Sequence, residues 1–167
     1  KCGRWADLGT GSGPLAISLA KALPNWEGHA VDISKDALRL AKKNLETLVP
    51  NSKVKLSLGD WWKPLQKWWG GFDLVLTNPP YIPSEVIEKL EPVVKNHEPR
   101  LALDGGNDGM KASNQIISGA SNGLAKGGWL ILEHHYDQSE KIMKIMKNFG
   151  MEEVSFQKDL SGIKRYA

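Results

Sequence analysis

A doubly wound α/β domain with a mostly parallel sheet and a closing antiparallel strand pair is what this 167-residue sequence predicts. Three observations carry that prediction. Short apolar runs of β type alternate with helix-type stripes along most of the chain, the order that builds parallel sheets covered by helices. The first run leads into the glycine turn Gly9-Thr10-Gly11-Ser12-Gly13, and the fourth into the stiff bend Asn78-Pro79-Pro80-Tyr81. Open α/β sheets bind ligands just beyond the carboxyl ends of their strands, so both turns are candidate site elements.

The elements follow in order. Arg4–Leu8 is a short strand, and Pro14 opens a helix through Leu23; proline is tolerated at the first helical position, where its missing N–H has no partner to lose. Gly28–Ile33 is a second strand carrying Asp32. Ser34 caps the next helix, Lys35 to about Thr47, whose Ala37, Leu38, Leu40, Ala41, Leu45 and Leu48 fit one apolar stripe. Val54–Leu58 alternates as a third strand and reaches Gly59-Asp60-Trp61-Trp62. Phe72–Thr77 is the fourth. The stretch 82–107 shows little periodicity beyond a short helix near Val86–Leu90, and a segment of that length reads as a lid, a binding loop or a linker. Met110–Ala125 is a helix ended by Lys126-Gly127-Gly128, Trp129–Glu133 a buried-type strand, and Gln138–Phe149 a further helix. Met151–Phe156 and Ile163–Tyr166 supply the closing antiparallel pair.

Composition narrows the function classes. Hydrophobic residues at 41% and charged residues at 25% describe a globular chain, and a net charge of +3 with scattered Lys and Arg argues against a nucleic-acid track. Cys2 is the single cysteine, which excludes an internal disulfide and fits a cytoplasmic protein. No apolar run has membrane-spanning length and the start has no leader pattern. His134 and His135 are adjacent and face opposite ways on a strand, so no metal site is expected.

The glycine turn between a strand and a helix lets a ligand approach the backbone closely, with unpaired N–H groups at the helix start. A dinucleotide fingerprint wants a small residue where Pro14 stands; the pattern is instead Gly-x-Gly-x-Gly preceded by Asp7. Asp32, about twenty residues on, can accept from both ribose hydroxyls or serve as a second helix cap. Trp61 can cover a base or, like Trp62, simply pack. In Asn78-Pro79-Pro80-Tyr81 the prolines fix their own φ and push the preceding residues out of the helical region, so the bend is rigid enough to hold a planar amide or amine.

Taken together, Asp7-Leu8-Gly9-Thr10-Gly11-Ser12-Gly13, Val31-Asp32, Asn78-Pro79-Pro80-Tyr81-Ile82, the run Glu98 to Gly106 with Asp108-Gly109, Leu132-Glu133, and Asp159 to Gly162 with Arg165 resemble the PrmC/HemK family, the release factor glutamine methyltransferases. The resemblance spans essentially the whole chain. It implies a Rossmann-like fold dependent on S-adenosyl-L-methionine, with S-adenosyl-L-homocysteine as product. It implies methyl transfer to the side-chain amide nitrogen of the glutamine in the Gly-Gly-Gln motif of class-1 peptide release factors. Carried onto this chain, Asp7, Gly9, Thr10, Gly11, Ser12, Gly13, Asp32 and Asn78 form the cofactor site, with Asp60 accepting from the adenine amino group and Trp61 over its face. Asn78, Pro79, Pro80 and Tyr81 hold the substrate amide, and Asn78, Pro79 and Tyr81 are the catalytic set. Residues 1–167 are expected to be one methyltransferase domain, without the helical domain that family members carry ahead of the glycine motif. The bend is shared with adenine-amino nucleic-acid methyltransferases, so that activity is the alternative, and a cofactor-binding module without turnover is another.

Overall fold

The computed structural model of the chain describes residues 2–93 and 98–167. Two compact units divide it, residues 1–77 with 122–131, and residues 78–121 with 132–167.

In the first unit β1 (Arg4–Leu8), β2 (Glu27–Asp32), β3 (Val54–Leu58), β4 (Phe72–Thr77) and β5 (Leu124–Leu132, its last residue in the second unit) form a sheet of order β3-β2-β1-β4-β5. β1 runs parallel to both β2 and β4, and β2 to β3. The strand order reverses between β1 and β4, the switch point at which such sheets leave a crevice. Two helices, α1 (Pro14–Ala22) and α2 (Lys35–Leu48), connect the first three strands. Proline occupies the first turn of α1, and the Ser34 hydroxyl accepts from Ala37 N at 3.2 Å to cap α2. Trp5, Ala16, Ile17, Leu19, Ala20, Ala30 and Leu45 make one core cluster, with Trp5 at 1% exposure its largest member. At the opposite ends of the strands charges close the edge. Glu27 accepts from Arg4 at 2.9 Å and from Lys55, and these bonds, Lys55's foremost, hold its carboxyl down at about 2.

His29, on β2, is fully buried, and neither ring nitrogen is hydrogen-bonded among the described residues. It lies 4.2 Å from the Trp68 ring and edge-on to Phe72. Burial holds its pKa at about 4 instead of 6.5, against the pull of Glu27 and helped by Arg4, Lys55 and Lys67. An unfolded chain takes up this proton near pH 6.5, whereas the fold refuses it until about pH 4. Stability is therefore lost as the pH falls through that window, at up to about 1.4 kcal/mol per pH unit. Asp7 acts oppositely, since its folded pKa of about 6 lies above the ordinary 3.8 and its contribution improves as the pH falls between them. The histidine is thus read by difference. The stability of His29→Leu relative to the parent is expected to shift in the variant's favour between pH 7 and pH 5 in urea titrations, and a pH-independent gap contradicts this.

β5 begins at Leu124, five residues before the expected start, and the helix α5 (Lys111–Gly123) ends where it begins. Close packing explains the shift. A side chain at Gly123 would meet the Trp62 ring at 2.2 Å, and one at Gly128 would meet the Phe72 carbonyl at 2.6 Å. Gly128, expected to help stop the helix, instead lets β5 lie close to β4. A 3₁₀ turn over Lys63–Trp68, not anticipated, buries Leu65.

The second unit holds α3 (Ser84–Ile87), α4 (Arg100–Leu103), most of α5, α6 (Ser139–Asn148) and the antiparallel pair β6 (Gln157–Lys158) and β7 (Lys164–Tyr166). The antiparallel pair is a separate two-stranded sheet, and Met151–Phe156 is not a strand, contrary to expectation. The turn chemistry decides it. The Asp159 carboxylate accepts from Ser161 N and Ile163 N, both at 2.9 Å, and closes a tight loop that pairs only the two residues before it. A bridge joins Glu133 to Tyr166, and Leu132 and Ala167 exchange backbone bonds of 2.8 and 2.9 Å.

Nor is the described part of 82–107 structureless. Ile82 forms a parallel bridge to Asp104, through Ile82 N to Leu103 O at 3.1 Å and Gly105 N to Ile82 O at 2.9 Å. Asp104 organises the fold-back by accepting from the Ser84 hydroxyl at 2.6 Å, Gly106 N at 3.0 Å and Arg100 at 3.4 Å. These bonds, Ser84's first, hold its carboxyl below the usual range. The expected helix near Val86–Leu90 lies at Ser84–Ile87, and residues 94–97 of the stretch are outside the described residues. Among the described residues no helix is long and apolar enough to cross a membrane, and no group of three or more His, Cys, Asp or Glu could hold a metal.

Candidate active site

The glycine turn is built in the first unit from the carboxyl ends of β1 and β2. Gly9, Gly11 and Gly13 all take left-handed φ values, 77°, 56° and 92°, which a side chain would strain. Gly9 N and Thr10 N both donate to Val31 O at 2.9 Å, and Gly13 N donates to Thr10 O at 2.8 Å. At the crest the backbone is bare. A Cβ built on Gly11 would meet no atom within 4 Å.

Two carboxylates hold this shape. Asp7 is fully buried, and its Oδ2 accepts from the Thr10 hydroxyl at 2.7 Å and from Ala16 N at 3.1 Å. Burial pushes its pKa up to about 6, although both hydrogen bonds pull the other way. Asp7 and the Thr10 side chain therefore face inward and support the turn from beneath. Asp32 accepts from Gly11 N at 2.8 Å through Oδ2 and from Ser34 N at 2.8 Å through Oδ1, so it clasps the crest and caps the chain entering α2. Ser12 is tied from the other side, its carbonyl accepting from Asn44 at 2.9 Å.

Trp61 has a φ of 44°, a left-handed value that is costly for a bulky residue and that clusters at functional sites. The conformation brings its ring to the turn, where a Cβ on Gly9 would lie 3.1 Å from Cζ3. Asp60 is engaged differently, pairing with Lys63 at 2.8 Å. The structure thus gathers Asp7, Gly9 to Gly13, Asp32 and Trp61, while the Asp60 carboxylate is turned to Lys63. Trp62 is buried against Phe72 and belongs to the core.

Strand β4 ends at Thr77, whose buried hydroxyl donates to Leu8 O at 2.6 Å and locks β4 to β1. Asn78 is the next residue and opens the bend in the second unit, exposed, with Pro79 buried behind it and Pro80 and Tyr81 half-buried. The Tyr81 carbonyl accepts from Gln138 Nε2 at 3.0 Å, and the Tyr81 ring lies 6.2 Å from that of His135. Burial raises the Tyr81 pKa, with Glu133 adding to the rise, so its hydroxyl stays protonated. Gln138 and Asn44 were not foreseen. The one hint in the sequence is a glutamine opening an amphipathic helix where a Ser, Thr, Asn or Asp cap is usual.

The family described as "Methyltransferase domain" matches residues 3–165. The chain belongs to that family. Curated relatives of this methyltransferase domain include the release factor glutamine methyltransferase of Prochlorococcus marinus, 58% identical over 166 residues, which cover 99% of this chain and 57% of that protein. Another of the same name, from Caulobacter vibrioides, is 43% identical over 155 residues, 93% of this chain and 53% of that one. The chain thus spans a little over half the length of these relatives. Among solved structures, ribosomal protein L11 methylase from Lactobacillus delbrueckii subsp. bulgaricus superposes with a TM-score of 0.68 at 22% identity, covering 99% of this chain and 69% of that one. The hMettl16 catalytic domain gives 0.73 at 16% identity, over 99% and 62%. At that identity the likeness is one of fold, and it agrees with the parallel sheet described above.

Proposed function

We propose that this methyltransferase domain transfers a methyl group from S-adenosyl-L-methionine to the side-chain amide nitrogen of the glutamine in the Gly-Gly-Gln motif of class-1 peptide release factors, in the cytoplasm. The observation that carries the reading is the exposed Asn78 on a bend whose Pro79 is buried and whose Tyr81 carbonyl is clasped. Such a bend presents two oxygen acceptors in a fixed relation and contains no acid or base. The curated name shared by relatives aligned over nearly the whole chain supports the same substrate.

The residues of the glycine turn fit the cofactor. Bare backbone at Gly11 admits close approach, and each Asp32 oxygen that accepts one backbone N–H keeps a second lone pair for a ribose hydroxyl. Trp61 offers an aromatic face for the adenine and Asp60 an acceptor for its amino group; stacking of this kind is worth about 1–3 kcal/mol in nucleic-acid binders. When bound, the cofactor supplies a methyl group made electrophilic by its sulfonium sulfur.

The substrate amide is a poor nucleophile because its nitrogen lone pair is delocalised into the carbonyl. The Asn78 side-chain oxygen and the Pro79 carbonyl accept its two N–H bonds, which orients the nitrogen and raises its electron density. Tyr81 packs on the amide plane. Holding reactants in line in this way supplies about 7–11 kcal/mol in well-oriented systems. A methylated amide nitrogen is acidic enough to lose its proton to water, so no strong base is needed in the bend. In this reading residues 1–167 act as the catalytic domain, and release factor is the protein partner. Mass spectrometry of a class-1 release factor incubated with this protein and cofactor is expected to show one added methyl group on the Gly-Gly-Gln glutamine. Labelled methyl transfer to adenine in DNA or RNA, with none to release factor, would refute the reading.

A further inference from the structure

We propose that Gln138 is a positioning residue for the Asn78–Tyr81 bend, holding the Tyr81–Ile82 peptide plane through its side-chain amide; the proposal rests on the reading of that bend as the amide-binding element. Gln138 is 5% exposed, lies immediately before α6, and takes no part in the helix's apolar stripe. Its Nε2 donates to Tyr81 O at 3.0 Å and to Gly109 O at 3.3 Å, while its Oε1 accepts from His135 N at 3.0 Å. Both amide hydrogens and the amide oxygen are thus spent on backbone, and the donors point at the two carbonyls. No hydrocarbon side chain of the same volume can replace this pattern, and a carboxylate inverts it.

The peptide unit it holds is fixed on its other side as well. Ile82 N donates to Leu103 O at 3.1 Å, so the carbonyl and the N–H of one peptide plane are gripped by separate segments. Gly109 completes the clamp. It sits at φ 72°, and a Cβ there would lie 2.3 Å from Tyr81 O and 2.6 Å from Gln138 Nε2. Glycine at 109 is what lets the Asp108-Gly109 turn reach the bend and share its donor. Because Pro79 and Pro80 have fixed φ, the bend has fewer free torsions to absorb a rotation of the Tyr81–Ile82 plane before it displaces the Tyr81 ring and the Pro79 carbonyl.

The test uses the whole chain with Gln138→Met, an unbranched replacement of similar volume, and Gly109→Ala as an independent disturbance of the same plane. Hydrogen exchange followed by mass spectrometry is expected to show faster exchange in peptides covering residues 78–84 in both variants, with peptides of β1, β2 and α1 unchanged. Release-factor methylation is expected to lose roughly 10- to 100-fold in kcat, as for a misplacement of about 1 Å, with the KM for release factor and the cofactor Kd within about threefold of the parent. Exchange at 78–84 that does not change in Gln138→Met, or kcat retained within twofold, overturns the proposal. So does a loss spread equally over cofactor binding and thermal stability, which marks a merely structural residue. A parent protein that leaves release factor unmethylated defeats the functional reading, while the exchange experiment still decides the clamp.

Discussion

Asn78→Ala is expected to lower kcat for release-factor methylation by about 10²–10³-fold, the loss typical when one preorganised polar contact to the reacting group is removed. The cofactor Kd, measured by calorimetry, is expected to stay within about threefold of the parent. This division follows from where the residues sit. In the proposed reading the cofactor is taken by the glycine turn and Asp32, which are held by bonds within the first unit, and by Trp61, whereas Asn78 opens the second unit and takes the amide. The exposed Asn78 side chain contributes little to folding, so the thermal midpoint is expected to be almost unmoved, a change of about 0.5 kcal/mol or less. A residual rate is also expected, because the Pro79 carbonyl is backbone and survives the substitution. If calorimetry shows cofactor binding abolished while the circular dichroism and melting curve are those of the parent, the assignment of Asn78 to the amide is wrong.

Much of this arrangement was legible in the sequence, and the parts that were not share a cause. β1, β3 and β4 begin and end where the apolar runs do, at Arg4–Leu8, Val54–Leu58 and Phe72–Thr77, because each is bounded by turn formers that no tertiary contact overrides. The glycine turn was equally readable, since φ values above zero demand glycine, and the bonds of Asp32 to Gly11 N and Ser34 N are the capping use that the sequence offered beside the ribose one. What was hidden is what distant packing decides. Gly127 and Gly128 read as helix punctuation, yet they lie within β5, with Gly128 set close to the Phe72 carbonyl and Gly123, at the end of α5, close to Trp62. The stretch after Tyr81 lacks periodicity because its order comes from a bridge between Ile82 and Asp104, residues far apart in sequence, and not from a repeating stripe. The bond between the Thr10 hydroxyl and Asp7 is a geometry that residue type alone does not reveal. Gln138 belongs to the same class, since an amide reaching back 57 positions leaves no local mark.

The largest loss of stability is expected at a position with no functional group. A Cβ at Gly28 would lie 2.2 Å from Trp5 Cζ2 and 2.5 Å from Cη2, far inside any tolerated contact. Trp5 cannot retreat, because it is 1% exposed and packed with Ala16, Ile17, Leu19, Ala20 and Leu45. Nor can β2, which is paired on both edges, with Gly28 opposite Trp5 on one side and Val54 on the other. Gly28→Ala is expected to cost about 3 kcal/mol and Gly28→Val more, at or beyond the upper end of overpacking penalties and a large share of a typical 5–15 kcal/mol stability. Gly70→Ala is the control, since its Cβ would meet nothing within 4 Å and only its φ of 71° is strained, which costs about 1–2 kcal/mol. Trp5→Leu in the Gly28→Ala background is expected to recover part of the loss, although Trp5→Leu alone destabilises, because the two side chains compete for one volume. Urea denaturation of the parent and these variants measures this directly, and a Gly28→Ala cost no greater than that of Gly70→Ala would contradict the packing argument. The consequence reaches the site. β2 carries Val31, whose carbonyl receives Gly9 N and Thr10 N, and Asp32, which receives Gly11 N, so a strand displaced at residue 28 loosens three of the hydrogen bonds that shape the glycine turn.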